Sequence, residues 1–282
     1  MKRYIIRLLV FFITIVIIFG IFHAGSYICC LTKEAFCEYR LPIIMYHHVL
    51  RDPARHGEFI ISPDEFEQDL KYIKKEGFTT ITDLDLINFK EKGTPLPEKP
   101  IMLTFDDGHL SYYEYIVPLL QKYQMKAVVS IVGSYTNDYT EHPDKAVSYA
   151  YLSWEEVKTL SHSDHTRVAN HTYDMHKISN GRNGCSKTKT ESSAQYRKTF
   201  QDDAEKMRKL IYDYTGKNAD CFTYPFGYFC SETEEEIKKL GFKLSLTCAE
   251  GINYISQNSS LFKLKRYNRP HGKSVEEILK GL

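Results

Sequence analysis

From residue 42 onward the chain repeats one theme, and this constrains its fold more than any other feature: a continuous apolar, β-prone run, then an amphipathic stretch opened by a helix cap. The runs lie at 42–46, 78–81, 101–105, 127–132, 167–170, 221–224, 242–247 and 261–265. Most are apolar throughout rather than alternating, the pattern of strands buried on both faces. Ser62 with Glu65, Ser153 with Glu156, Ser231 with Glu234, and Ser274 with Glu277 make capping boxes, the first with Pro63 at the first helical position. Behind that cap Phe66, Leu70 and Ile73 recur at helical spacing. Gly93-Thr94-Pro95-Leu96-Pro97 ends one helix before the strand at 101, and the polar stretch 179–193 is a surface excursion ahead of a long helix starting near Ala194. The expectation is an α/β fold of seven or eight strands. Periodicity does not separate a barrel from an open doubly wound sheet, but no glycine-rich nucleotide loop is present, which weakens the open, cofactor-binding form.

At the N-terminus Lys2, Arg3 and Arg7 precede an almost uninterrupted apolar run over 8–22. With Ala24, Gly25 and Ile28 it approaches the roughly 20 residues that cross a bilayer. It has no polar face, unlike a buried core helix, and Phe22-His23-Ala24 is a poor signal-peptidase site. The reading is an uncleaved signal anchor over 1–28, basic end inside, a linker over 29–40, and a domain over 41–282 outside the membrane; a cleaved, secreted form is the alternative. Lys and Arg number 37 against 36 Asp and Glu, so bulk charge draws the molecule neither to nucleic acid nor to an anionic surface. Of seven cysteines, Cys29, Cys30 and Cys37 crowd the anchor while Cys185, Cys221, Cys230 and Cys248 scatter. No C-x-x-C pair suggests structural zinc; a Cys221–Cys230 bridge is conceivable outside the cytoplasm.

Reactive side chains directly follow three of the runs, where α/β folds gather their active sites. Thr104-Phe105-Asp106-Asp107-Gly108 carries a buried strand into two carboxylates and a glycine; the plain alternative is an Asp-Gly turn. Asn170-His171-Thr172-Tyr173-Asp174-Met175-His176 sets two histidines five apart. That is not the helical zinc pair, and in a strand the two would face opposite ways, so both reach one ion only if the loop curls round it. Phe222-Thr223-Tyr224-Pro225-Phe226-Gly227 ends a strand in an aromatic-flanked proline turn, which taken alone is core aromatics and a turn.

Together, in order and spacing, the three elements resemble the polysaccharide deacetylase family (NodB-homology domains, carbohydrate esterase family four), over essentially all of 41–282. The resemblance implies a distorted (β/α) barrel and a divalent ion, zinc first with cobalt or nickel as alternatives, held by Asp107, His171 and His176. It implies Asp106 as general base, the backbone N–H of Phe226 at the oxyanion, and a histidine as general acid. His47, in Met45-Tyr46-His47-His48-Val49, resembles the Tyr-His element of the exopolysaccharide subgroup; His271, in Arg269-Pro270-His271-Gly272, sits near the C-terminal position other members use. His47 is the preferred acid, with His48 facing away because adjacent residues at a strand end diverge. Three departures stand out. The histidines are five apart, as in the subgroup acting on poly-N-acetylglucosamine; Thr223 replaces the usual arginine of the third motif; and no aspartate-tryptophan element occurs over 246–251. The missing arginine leaves open what orients the base.

The implied activity is metal-dependent removal of N-acetyl groups from an extracellular polysaccharide, of the poly-N-acetylglucosamine, peptidoglycan or chitin kind. A second reading is a catalytically impaired cell-wall carbohydrate-binding module of the same fold, favoured by the altered third and fourth motifs and opposed by the intact ligands and base. A third, the two-histidine-one-carboxylate triad of iron oxygenases, normally belongs to all-β folds.

Overall fold

The computed structural model describes residues 38–179 and 181–280. Eight parallel strands carry the alternation: β1 (Ile43–Tyr46), β2 (Thr79–Ile81), β3 (Pro100–Phe105), β4 (Ala127–Ile131), β5 (Thr166–Asn170), β6 (Cys221–Thr223), β7 (Leu244–Leu246) and β8 (Tyr267–Asn268). They lie in the order β7-β6-β5-β4-β3-β1-β8, with β2 paired to the first half of β3. The sheet curls, and its two ends meet where Leu264, just ahead of β8, pairs with Leu246 of β7. This is the distorted barrel rather than the open sheet.

Among the described residues eight α-helices follow the strands: α1 (Pro63–Lys75), α2 (Asp83–Lys92), α3 (Val117–Tyr123), α4 (Gly133–Glu141), α5 (Trp154–Ser161), α6 (Ser193–Thr215), α7 (Ser231–Lys239) and α8 (Val275–Lys280). The caps at Ser62, Ser153 and Ser274 form as expected, each serine N–H donating to the glutamate three residues on. The cap of α7 lies one residue earlier than expected: Ser231 is its first residue, and the backbone N–H of Cys230 donates to the Thr233 hydroxyl. The run 261–265 is not a strand, because Lys263 adopts a left-handed φ of 62° that interrupts the extended backbone; the paired strand is β8. Cys221, buried on β6, and Cys230 are both free thiols, so the conceivable bridge between them does not form.

Strand parity sorts the core into two sets. Ile44 and Tyr46 of β1, Leu103 and Phe105 of β3, and Val129 and Ile131 of β4 face outward onto Phe66, Leu70 and Ile73 of α1, Val157 and Leu160 of α5, and Ile278 of α8. The alternate residues, Ile43, Met102, Val128, Ala169, Cys221 and Leu244, fill the barrel interior with Leu86, Ile87 and Phe89 of α2. Full burial of a side chain such as Phe66 contributes about 1.5–3 kcal/mol. Continuous apolarity in the sequence therefore reflects two buried faces.

The compact unit comprises Tyr39–Ile255 with Ser259–Leu282. The anchor expected over 1–28 and most of the linker over 29–40 lie outside the described residues, as do Cys29, Cys30 and Cys37. Among the described residues no helix is long and apolar enough to cross a membrane.

Candidate active site

Extending the interior parity past the strand ends delivers the site. On β3 it runs Met102, Thr104, Asp106, and the Asp106 carboxylate is buried. Its partner is Arg266, fully buried and just ahead of β8: Nη1 donates to Oδ1 and Nη2 to Oδ2, each at 2.8 Å. Arg266 Nε donates to the Thr247 carbonyl at 2.8 Å and Nη1 to the Thr104 hydroxyl at 3.2 Å, so the guanidinium plane is fixed on three sides. Burial pushes Asp106 up, but the Arg266 charge and its hydrogen bonds outweigh that and hold the carboxyl below its usual range. Arg266 thus supplies the cation that the sequence lacks at Thr223, whose hydroxyl instead lies 2.7 Å from Ser130 Oγ in the interior.

Asp107 leaves that parity because its backbone is left-handed (φ 70°). The turn depends on Gly108 (φ 74°), where a Cβ would stand 2.8 Å from Ile131 Cγ2. The second carboxylate accordingly swings to the two histidines: Oδ1 lies 3.5 Å from His171 Nε2 and 3.1 Å from His176 Nε2. His171 continues the inward parity of β5 and donates Nδ1–H to the Thr223 carbonyl at 2.8 Å, leaving Nε2 with its lone pair. His176 comes round because the intervening loop curls. Asn170 Oδ1 accepts the Thr172 N–H, Thr172 is left-handed (φ 73°), and Asp203 of α6 accepts the N–H groups of Tyr173 and Asp174 at 2.8 and 2.7 Å. Burial raises Asp203 to about 6.

One ligand atom from each of Asp107, His171 and His176 lies within 4.8 Å of the others. A carboxylate and two imidazoles, one with its tautomer set by a carbonyl, is a donor set that fits a zinc-class divalent ion. Burial would raise Asp107, but contacts with His109, His171 and His176 hold it well below the ordinary carboxylate range. His171 is pushed down by burial and raised overall by that same carboxylate. Among the described residues nothing else joins this donor cluster.

His47 continues the inward parity of β1 and lines the same cleft, its ring 4.8 Å from that of Phe59. Burial lowers it below the usual histidine range against the opposing pull of Asp106 and Asp107. His48, expected to face away, also lines the cleft: its Nδ1 lies 2.8 Å from Ser111 Oγ, and its ring stacks at 4.1 Å on His109, whose Nε2 is 3.7 Å from Asp107 Oδ2. Phe226 has a left-handed backbone (φ 57°), and its ring lies 4.3 Å from that of His176. The flanking N–H groups of Gly227 and Tyr228 are taken by the carbonyls of Tyr224 and Pro225. His271 is not part of this cleft; it is half exposed, with Nδ1 2.9 Å from Glu65 Oε2.

The cleft holds about 820 Å³, with Asp106, Asp107, His47, His171 and His176 on its floor. Its exposed lining mixes the large side chains of Phe59, Tyr149, Ile178, Phe226 and Tyr228 with the charged Arg55, Glu58 and Glu250. Arg266 and Asp203 are the functional residues that the sequence did not single out. Arg266 sits in Leu264-Lys265-Arg266-Tyr267, where nothing sets one cation apart, and Asp203 is one of many charges along α6.

A family model described as polysaccharide deacetylase matches residues 93–245. The poly-beta-1,6-N-acetyl-D-glucosamine N-deacetylase of Escherichia coli strain K12 is 26% identical over 245 residues, 80% of this chain and 36% of that protein. The chain therefore spans about a third of the length of that relative. The enzyme of the same name from Staphylococcus aureus strain MRSA252 is 26% identical over 208 residues, 74% of this chain and 67% of that one. Among solved structures, the Streptococcus pyogenes deacetylase PplD in complex with acetate has a TM-score of 0.70 at 23% identity, covering 86% of this chain and 98% of its own. A de-N-acetylase from Aggregatibacter actinomycetemcomitans reaches 0.73 at 21%, covering 86% and 100%. At these identities the two structures bear on the fold, which agrees. With the family model matching more than half of its length, the chain belongs to the polysaccharide deacetylase family of hydrolases.

Proposed function

We propose that this protein is a metal-dependent deacetylase that removes N-acetyl groups from an extracellular polysaccharide, and that a polymer of β-1,6-linked N-acetylglucosamine is the first substrate to test. The observation that carries the reading is the pairing of two carboxylates with different duties: Asp107 facing two histidines, and Asp106 clamped by a buried arginine, on the floor of one open cleft. The names of the Escherichia coli and Staphylococcus aureus relatives support the polymer, as does the five-residue histidine spacing. The apolar run ahead of residue 28 supports an outward-facing, membrane-anchored enzyme.

Amide hydrolysis at neutral pH needs a nucleophile, stabilisation of a tetrahedral oxyanion, and a proton for a poor amine leaving group. A divalent ion held by Asp107, His171 and His176 supplies Lewis acidity toward water and the acetyl carbonyl. Asp106 is ionised, and although each oxygen accepts from Arg266 it keeps further lone pairs, so it takes the proton of the attacking water. The Phe226 N–H, turned by its left-handed backbone, donates to the oxyanion. The proton that Asp106 takes from water reaches the departing nitrogen through His47, which is neutral before and after the transfer. The exposed rings of Phe59, Tyr149 and Tyr228 offer apolar faces to pyranose rings on either side of the reacting unit.

The test is acetate release from β-1,6-linked N-acetylglucosamine oligomers, set beside β-1,4-linked oligomers and peptidoglycan fragments. Release from the β-1,6 series, abolished by chelation and restored by Zn²⁺ or Co²⁺, is expected. Binding of these glycans with no acetate from any of them would show the impaired module instead. Fractionation of the intact protein with membranes, and solubility once residues 1–30 are deleted, tests the anchor.

A further inference from the structure

We infer that His56, Glu65 and His271 form a second site for a zinc-class divalent ion, on the far side of the cleft wall from the catalytic donors. The three come from separate segments: the loop after β1, the first turn of α1 and the loop after β8. One ligand atom from each lies within 4.8 Å of the other two. His271 Nδ1 stands 2.9 Å from Glu65 Oε2, and the rings of His56 and His271 are 4.9 Å apart at 45°. These spacings match those of the catalytic set, where His176 Nε2 is 3.1 Å from Asp107 Oδ1. They approach the roughly 3.3 Å between neighbouring ligands of a tetrahedral ion with bonds of about 2.0–2.1 Å.

The chemistry around the donors suits a cation. His56 Nε2 donates to the Leu50 carbonyl at 2.9 Å, which fixes the tautomer and leaves Nδ1 its lone pair. Glu65 Oε1 accepts from Arg269 Nη1 and the Gly272 N–H, and Oε2, which also accepts from the Ser62 N–H and hydroxyl of the helix cap, is the oxygen directed at His271. Burial alone would raise Glu65, yet the N–H groups of Ser62 and Gly272 and the His271 contact bring it to about 2, so it is a carboxylate at any working pH. The backbone is already set: the His271 N–H donates to the Gly57 carbonyl at 2.9 Å, and little ordering remains to be done on binding. Half exposure of His271 leaves a coordination position to solvent. The ion would tie the loop bearing Arg55 and Phe59, which form a cleft wall, to the segment that follows β8.

Titration of the metal-free full chain with Zn²⁺, followed by calorimetry and by metal analysis after gel filtration, decides the matter independently of any activity. The expectation is about two ions per wild-type chain, about one for His56→Ala and for His271→Gln, and about one for Asp107→Ala. The glutamine keeps an N–H for Glu65, and far-ultraviolet circular dichroism of the metal-free variants checks that each is folded. Saturation of the wild type at a single ion that Asp107→Ala loses and His56→Ala keeps overturns the second site, as does retention of two ions by folded His56→Ala and His271→Gln. Absence of acetate release with two ions bound would count against the deacetylase reading and leave this site standing.

Discussion

Asp106 and Arg266 are each other's principal charge partner inside the barrel, and removing one leaves the other buried without its main compensation. Arg266→Met should therefore cost about 3–5 kcal/mol in denaturant unfolding at pH 7, together with most of the turnover. Asp106→Asn should retain the metal but lose roughly 10²–10⁴-fold in rate, the range of general acid–base groups; loss of metal along with activity would make Asp106 a ligand. Because the folded carboxyl titrates below the ordinary carboxylate range, its contribution to stability is present above that range and disappears as pH falls through the folded value. The stability gap between wild type and Asp106→Asn should close on acidification. For the acid, His47→Ala should lose far more turnover than His271→Ala, with a smaller deficit on aryl acetates, whose leaving group needs less protonation. A crippled His271→Ala beside a near-normal His47→Ala would reverse the assignment. At this scale the sequence singled out Asp106, Asp107, His171, His176 and His47, which the structure brings into one cleft; all but His176 directly follow an apolar strand. It hid Arg266, whose partner is 160 residues away along the chain.

Elements set these residues in place through turns that sequence rules describe only in part. The run from Asn170 to His176 works because α6 lends it Asp203, which accepts two consecutive N–H groups. Asp203→Ala should destabilise by about 1–3 kcal/mol, the cost of leaving buried donors unmade. It should also speed loss of metal to a chelator, while a purely structural role would leave the chelation rate of the folded protein unchanged. That two histidines five apart could meet only in a curled loop was legible beforehand; the carboxylate that curls it was not, since nothing local pairs residue 203 with residue 173. Alternation and caps located seven of the strands, and the eighth moved because Lys263 takes a left-handed turn that no composition signal announced.

For the whole molecule, ion binding and proton binding compete. His171 is raised by Asp107 and must surrender its proton to ligate, so apparent Zn²⁺ affinity should climb as pH rises through the raised value and level off above it. A flat affinity across that window, measured by chelator competition, would argue against His171 as a ligand. The closure of the barrel has its own consequence, one of timing. A ribosome that has reached Leu246 has already made all three shared motifs, yet the strand that seals the sheet, and the guanidinium that steadies Asp106, are still to come. Pairing of Asp106 with its guanidinium therefore waits on synthesis of the stretch beyond Leu246, so the buried carboxylate is the last part of the cleft to be steadied.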